Sequence, residues 1–239
     1  ESGVRELERQ IGSVCRKIAT KIVGGDNISY VVTADNLSEY LGAIKYQGDD
    51  GVVGGEVGAV NGLAWTSVGG VTMPIEVKLL PYGSGKILLT GSLGDVMKES
   101  AEIAVSLIKS KCVSLNISED VFNKHDIHIH VPAGATPKDG PSAGIALATA
   151  VLSAFTDKPV KKDLAMTGEV TLRGKVLAIG GLKEKTLGAM RSGIKTVIIP
   201  KQNQKDMQEL PSSVLNSINF VLADNVSTVF EEACGINFN

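Results

Sequence analysis

One serine in this chain stands where a hydroxyl can become a nucleophile. The stretch Gly134-Ala135-Thr136-Pro137-Lys138-Asp139-Gly140-Pro141-Ser142-Ala143-Gly144 runs from turn-forming residues into an Ala-rich segment that reaches Phe155. Proline is favoured at the first helical position, so Pro141 predicts a helix start with Ser142 in its first turn. Backbone N–H groups there lack intrahelical partners and lie at the positive end of the helix dipole. A serine oxygen so placed can attack a carbonyl while neighbouring amides, those of Ser142 and Ala143, hold the oxyanion that forms. The plain alternative is an ordinary polar residue at a helix start.

A nucleophilic serine needs a base, and several patterns compete. Gly140-Pro141-Ser142-Ala143-Gly144 fits G-x-S-x-G, but that elbow needs an apolar strand before the serine and a histidine after it. Here Thr136-Pro137-Lys138-Asp139 precedes, and His125, His128 and His130 all lie upstream. A histidine-before-serine order with His128 or His130 stays open. As an i, i+2 pair on one strand face they also hint at metal, but no third ligand and no HExxH accompany them, so no metal site is expected. Strand histidines hydrogen-bonded near a loop explain them better. Ser106-Leu107-Ile108-Lys109 fits S-x-x-K but lies inside a predicted helix without its companion motifs. A lysine amine can serve once burial lowers its pKa from about 10.4 toward neutrality. The run Gly180-Gly181-Leu182-Lys183-Glu184-Lys185-Thr186 offers two such amines. Helical-wheel counting puts Lys183 nearer Leu187 and Met190 and leaves Lys185 flanking Leu182 and Ala189, so periodicity leaves the choice open.

The elements that must hold these groups follow from patterning. Residues 1–22 space Val4, Leu7, Ile11, Val14, Ile18 and Ile22 by three or four, an amphipathic helix. A short strand over 29–33 and a brief helix capped by Asp35 or Asn36 follow; alone this piece is too small for a core. The Gly-rich run 51–58 marks a boundary between residues 1–50 and a domain over 51–239. In that domain strands are expected at 57–67, 71–79 and 86–91, the last two joined by a hairpin turn at 82–85. A helix over 95–110, a strand over 126–131 and the helix from 141 come next. Strands over 164–171 and 175–179, a helix over 181–192, a strand at 196–199 and a closing helix–strand–helix complete it. Without regular alternation this predicts an α+β fold with a mixed sheet. Aromatics are only 4%, so Val, Ile, Leu and Ala must fill the core, and a net charge of −2 gives no attraction to nucleic acid or anionic membrane. No apolar run reaches bilayer length. Cys15, Cys112 and Cys234 are isolated and read as buried thiols in a reducing compartment.

Five blocks then resemble the Lon protease family, in family order: GLAWTSVGG at 62–70, GDVMKESA at 94–101, PKDGPSAG at 137–144, MTGEVTLRG at 166–174 and GGLKEKTLGAMRSGI at 180–194. Residues 1–42 resemble the end of the helical subdomain of that family's ATPase module. The resemblance implies a serine endopeptidase acting on unfolded proteins or peptides, with Ser142 as nucleophile and Lys185 as general base. It implies that Thr167 hydrogen-bonds the lysine amine, that Glu169 lines the site, and that Asp139 gates it in inactive forms. It also implies a hexameric ring in the full-length protein, with cytoplasmic location or, alternatively, a mitochondrial matrix. Trp65 is expected either to border the substrate cleft or to fill the core.

Nothing here carries a Walker A motif, since Gly83-Ser84-Gly85-Lys86 is followed by Ile87 and lacks the earlier glycine. No cofactor is expected in this chain, with ATP and Mg²⁺ left to an ATPase module. Two rival readings remain: a scaffold that keeps the fold without the chemistry, and an esterase or amidase using Ser142.

Overall fold

A computed structural model describes residues 4–26, 28–44, 54–66 and 69–237. The chain divides into two compact units, Glu1–Asp50 and Gly51–Asn239. The Gly-rich boundary expected from sequence begins at residues 51–53, which lie outside the described residues.

In the first unit, α1 (Arg5–Val23) is followed by α2 (Leu37–Leu41). No residue of α1 is buried, and Tyr40 alone is buried among the described residues of this unit. The strand expected at 29–33 does not form: Asn36, in the turn at 34–36, accepts from the Thr33 amide and donates to the Val31 carbonyl.

The second unit carries β1 (Ala59–Thr66), β2 (Gly69–Pro81), β3 (Ile87–Thr90), α3 (Asp95–Ser110), α4 (Glu119–Lys124) and β4 (His125–His130). A 3-10 turn at Pro141–Ala143 leads into α5 (Gly144–Thr156), then β5 (Leu164–Met166), β6 (Glu169–Val170), β7 (Val176–Leu177) and α6 (Leu182–Arg191). β8 (Thr196–Pro200), a 3-10 segment (Lys201–Glu209), α7 (Ser212–Ser217), β9 (Asn219–Ala223) and α8 (Val226–Cys234) complete it. Seven strands form one mixed sheet in the order β3-β4-β2-β1-β5-β8-β9, with β6 and β7 as a separate hairpin. The fold is α+β, a mixed sheet with helices packed on it. No helix among the described residues is long and apolar enough to cross a membrane.

Both faces of the sheet centre are buried, which explains why Val197-Ile198-Ile199 reads as a continuous apolar run. Ile198 joins one core cluster, with α3, α5 and α8, while Val197 and Ile199 join the other, with α6 and α7. Toward the β3 edge one face opens, and β4 alternates accordingly: Ile127 and Ile129 are buried, Asp126, His128 and His130 partly exposed.

Strand pairing departs from expectation at two places. β2 and β3 form no hairpin, because β4 inserts between them, antiparallel to β2 and parallel to β3. Residues 82–85 instead wrap the start of β4, where the Asp126 carboxylate accepts from the Ser84 and Lys86 amides. The strand expected over 164–171 breaks after Met166, and its second half pairs with β7. The cysteines also differ from expectation: Cys15 is exposed, and Cys112 and Cys234 are half-buried.

α6 lies directly against β2. A Cβ on Gly70 would overlap the Glu184 carbonyl, and one on Gly188 would come within 2.5 Å of the Gly70 carbonyl carbon. Arg191 Nη2 donates to the Gly70 carbonyl at 2.6 Å and fastens the far end of the helix. Gly70→Ala is therefore expected to destabilise by about 2–3 kcal/mol through overpacking. At this chain length that lowers Tm by about 5–10 °C; an unchanged melting curve would contradict the close approach.

Candidate active site

Three elements converge where β5 ends. Met166 is the last residue of β5, and Thr167, fully buried, donates its amide to the Ile198 carbonyl at 3.1 Å. Gly168 then turns toward the helix start: its N–H donates to the Ser142 carbonyl at 2.8 Å, and its carbonyl accepts from Ile145 at 3.0 Å. These bonds clamp Ser142 and the first turn of α5. A side chain at Gly144 would press on the Val170 amide at 2.8 Å, so the helix start and the β6 segment touch backbone to backbone.

Ser142 is half-buried in the 3-10 turn that precedes α5. Gly140 enters that turn at φ +117, open to glycine, and Pro141 opens it as the sequence predicts.

Lys185 comes from the opposite side, on α6. It is only 2% exposed, whereas Lys183 points to solvent. Of the two amines the helical wheel could not separate, Lys185 is the buried one. The close approach of Gly70 to the Glu184–Lys185 backbone presses this stretch of α6 onto the sheet. Burial removes the ammonium from water and pulls the Lys185 pKa from 10.5 down to about 8. Its Nζ donates to Thr167 Oγ1 at 3.1 Å, and that hydroxyl donates to the Ser142 carbonyl at 3.2 Å. Ser142, Thr167 and Lys185 thus form one network. A direct Ser142 Oγ–Lys185 Nζ hydrogen bond is not present among the described residues.

The other expected residues stand outside this network. Glu169 lies two residues past Thr167, half-buried in β6 opposite Leu177. The Asp139 carboxylate accepts from the Met97 amide at 3.0 Å and the Gly140 amide at 2.9 Å, so it caps α3. Trp65 has no core role: it is 58% exposed and packs against Gly181, the residue that opens α6. The histidines serve elsewhere. Thr90 Oγ1 sits 2.9 Å from His128 Nε2 and 2.7 Å from His130 Nδ1, and His125 bonds the Val121 carbonyl. Among the described residues no group of three or more His, Cys, Asp or Glu could hold a metal.

Two features escaped the sequence reading. Gly168, which ties the serine turn to β5, carried no signal beyond its place in MTGE. Lys138, half-buried in the loop before the serine, had been given no role.

A lysine with a depressed pKa lowers stability in a defined window. The unfolded chain takes up its proton near 10.5 and the folded chain near 8, so stability falls as pH drops through that interval. Lys185→Met is therefore expected to be more stable than the wild type at pH 7, by up to about 3 kcal/mol. Denaturant titrations should show that gain shrinking toward pH 10. Loss of stability at pH 7 would contradict an ammonium held against its solvation.

The geometry can be set beside known proteins. The family model described as Lon protease (S16) C-terminal proteolytic domain matches residues 31–235, and that of the Lon protease AAA+ ATPase lid domain matches residues 1–31. Lon protease of Geobacter metallireducens is 52% identical over 233 residues, covering 98% of this chain and 28% of the relative. Lon protease of Clostridium acetobutylicum is 51% identical over 239 residues, 99% of this chain and 31% of the relative. Lon protease 1 of Bacillus subtilis is 52% identical over 233 residues, 98% and 30%. The chain spans less than a third of the length of these curated relatives. It belongs to the Lon protease family.

Proposed function

We propose that this chain is a serine endopeptidase in which Ser142 attacks and Lys185 is the general base. The observation that carries the reading is Lys185 itself, 2% exposed with its pKa drawn down to about 8. At that value a useful fraction of the amine is neutral near physiological pH.

The reading requires Ser142 Oγ to come within hydrogen-bond reach of Lys185 Nζ; catalytic hydrogen bonds are often open before substrate binds. Neutral Lys185 takes the Ser142 proton as Oγ adds to the peptide carbonyl carbon. The carbonyl π pair moves to oxygen, and the oxyanion lies against the Ser142 and Ala143 amides. Lys185 ammonium then protonates the departing amine as the C–N bond breaks and the acyl-enzyme forms. Water, deprotonated by Lys185, adds to the ester, and Oγ leaves with the proton returned. Thr167 accepts one N–H of Lys185 and keeps its nitrogen aimed at the start of α5.

In the full-length protein this domain is the proteolytic part of an ATP-dependent, ring-shaped hexamer degrading unfolded or damaged proteins. ATP and Mg²⁺ act in the ATPase module, outside the residues that form this site. The identity to relatives named Lon protease and the lid match at residues 1–31 support that setting.

The test is cleavage of a quenched, unfolded casein by wild type, Ser142→Ala, Lys185→Ala and Lys183→Ala. Both dyad variants should fall at least about a thousandfold while staying folded. Lys183→Ala should match the wild type. Because the base must be neutral, kcat/KM of the wild type should rise with pH through about 8. Activity surviving in Lys185→Ala but lost in Lys183→Ala would reassign the base. Cleavage of short esters without peptides would favour an esterase, and a wild type silent on every substrate would favour a scaffold.

A further inference from the structure

The loop that delivers Ser142 is held by a cation with no part in the proposed bond-making. Lys138 Nζ donates to three backbone carbonyls, Gly91 at 3.0 Å, Ala133 at 2.8 Å and Thr136 at 3.1 Å. An ammonium has three N–H bonds, so every donor is used. Two of the carbonyls belong to its own loop and the third to the turn after β3. Ala133 stands at φ +63, a left-handed conformation unusual for alanine, and that conformation helps the loop close around the ammonium.

The same residue is latched through its backbone. Lys138 N–H donates to the Ser92 carbonyl at 3.0 Å, and its carbonyl accepts from Gly94 at 2.8 Å. Next in sequence, Asp139 accepts from Met97 at the α3 N-terminus. Residues 91–97 and 138–139 therefore form one rigid seam, and Gly140 at φ +117 is the pivot from it into Pro141 and Ser142. Ser142 hangs between two anchors: this seam before it and Gly168 after it.

We propose that Lys138 is a positioning residue for the reaction, its ammonium fastening the nucleophile loop to the β3–α3 turn and so fixing where Ser142 enters its helix. The inference rests on Ser142 being the nucleophile. Removing the ammonium leaves three carbonyl oxygens converging without a donor, and the loop relaxes to give each one water. Partial burial lowers the Lys138 pKa, in keeping with an amine partly withdrawn from water by that carbonyl cluster. An arginine carries enough N–H groups to reach the same carbonyls, whereas methionine keeps the stem and none of the donors.

The experiment compares wild type, Lys138→Met and Lys138→Arg by amide hydrogen exchange and by cleavage of quenched, unfolded casein. In Lys138→Met the Gly94, Met97 and Gly140 amides, which donate to Lys138 or Asp139, should exchange about tenfold faster or more, with the amides of 145–153 unchanged. Its kcat should fall about tenfold with KM within about twofold, and Lys138→Arg should restore most of both. Unchanged exchange at those three amides overturns the proposal, as does faster exchange with wild-type kcat. If the wild type itself cleaves nothing, the Ser142–Lys185 reading falls, while the exchange data still decide whether Lys138 holds the loop.

Discussion

A buried amine is held against its own solvation, and the centre of this domain is arranged around that constraint. Lys185 sits 2% exposed on a helix pressed to the sheet, where the charged form is penalised. A surface lysine would be charged and useless as a base at neutral pH. Burial converts the same side chain into one that is neutral part of the time. The penalty is tolerable only because one hydroxyl, Thr167 Oγ1, receives the ammonium when it is charged.

The rest follows from keeping that amine still. Two glycines, Gly70 and Gly188, let the helix and strand backbones touch where α6 crosses β2. On the other side Gly168 leaves β5 and bonds both the Ser142 carbonyl and the Ile145 amide. Thr167 lies between these contacts and bonds both partners. A site built from a strand end, two helix starts and three glycines has little freedom to drift, and such supporting rigidity is what aligned chemistry needs.

Much of the fold was legible because its signals are local. The amphipathic spacing of α1, the Ile127–Ile129 alternation of β4 and proline at the head of the serine turn each announce an element from a few neighbours. Pairing was less so. The insertion of β4 between β2 and β3 is a non-local event, and residues 82–85 look the same whether they close a hairpin or wrap another strand. The choice between Lys183 and Lys185 was invisible to periodicity for a similar reason. Which face of α6 is buried depends on Gly70, more than a hundred residues earlier in the chain. Family resemblance pointed to Lys185; the sheet explains why that lysine is the buried one. Lys138 was missed because a charged residue in a polar loop is usually solvated, and nothing in sequence reveals three carbonyls folding back to meet it.

The account turns on the protonation state of one amine, which can be observed directly. With lysines labelled at Cε and Lys185→Arg used to assign the resonance, a carbon-detected pH titration reports the Lys185 pKa alone. The account predicts a midpoint near 8, well separated from the exposed lysines. A midpoint with the bulk of the lysines, near the unperturbed value of about 10.4, would contradict it and leave Ser142 without a base.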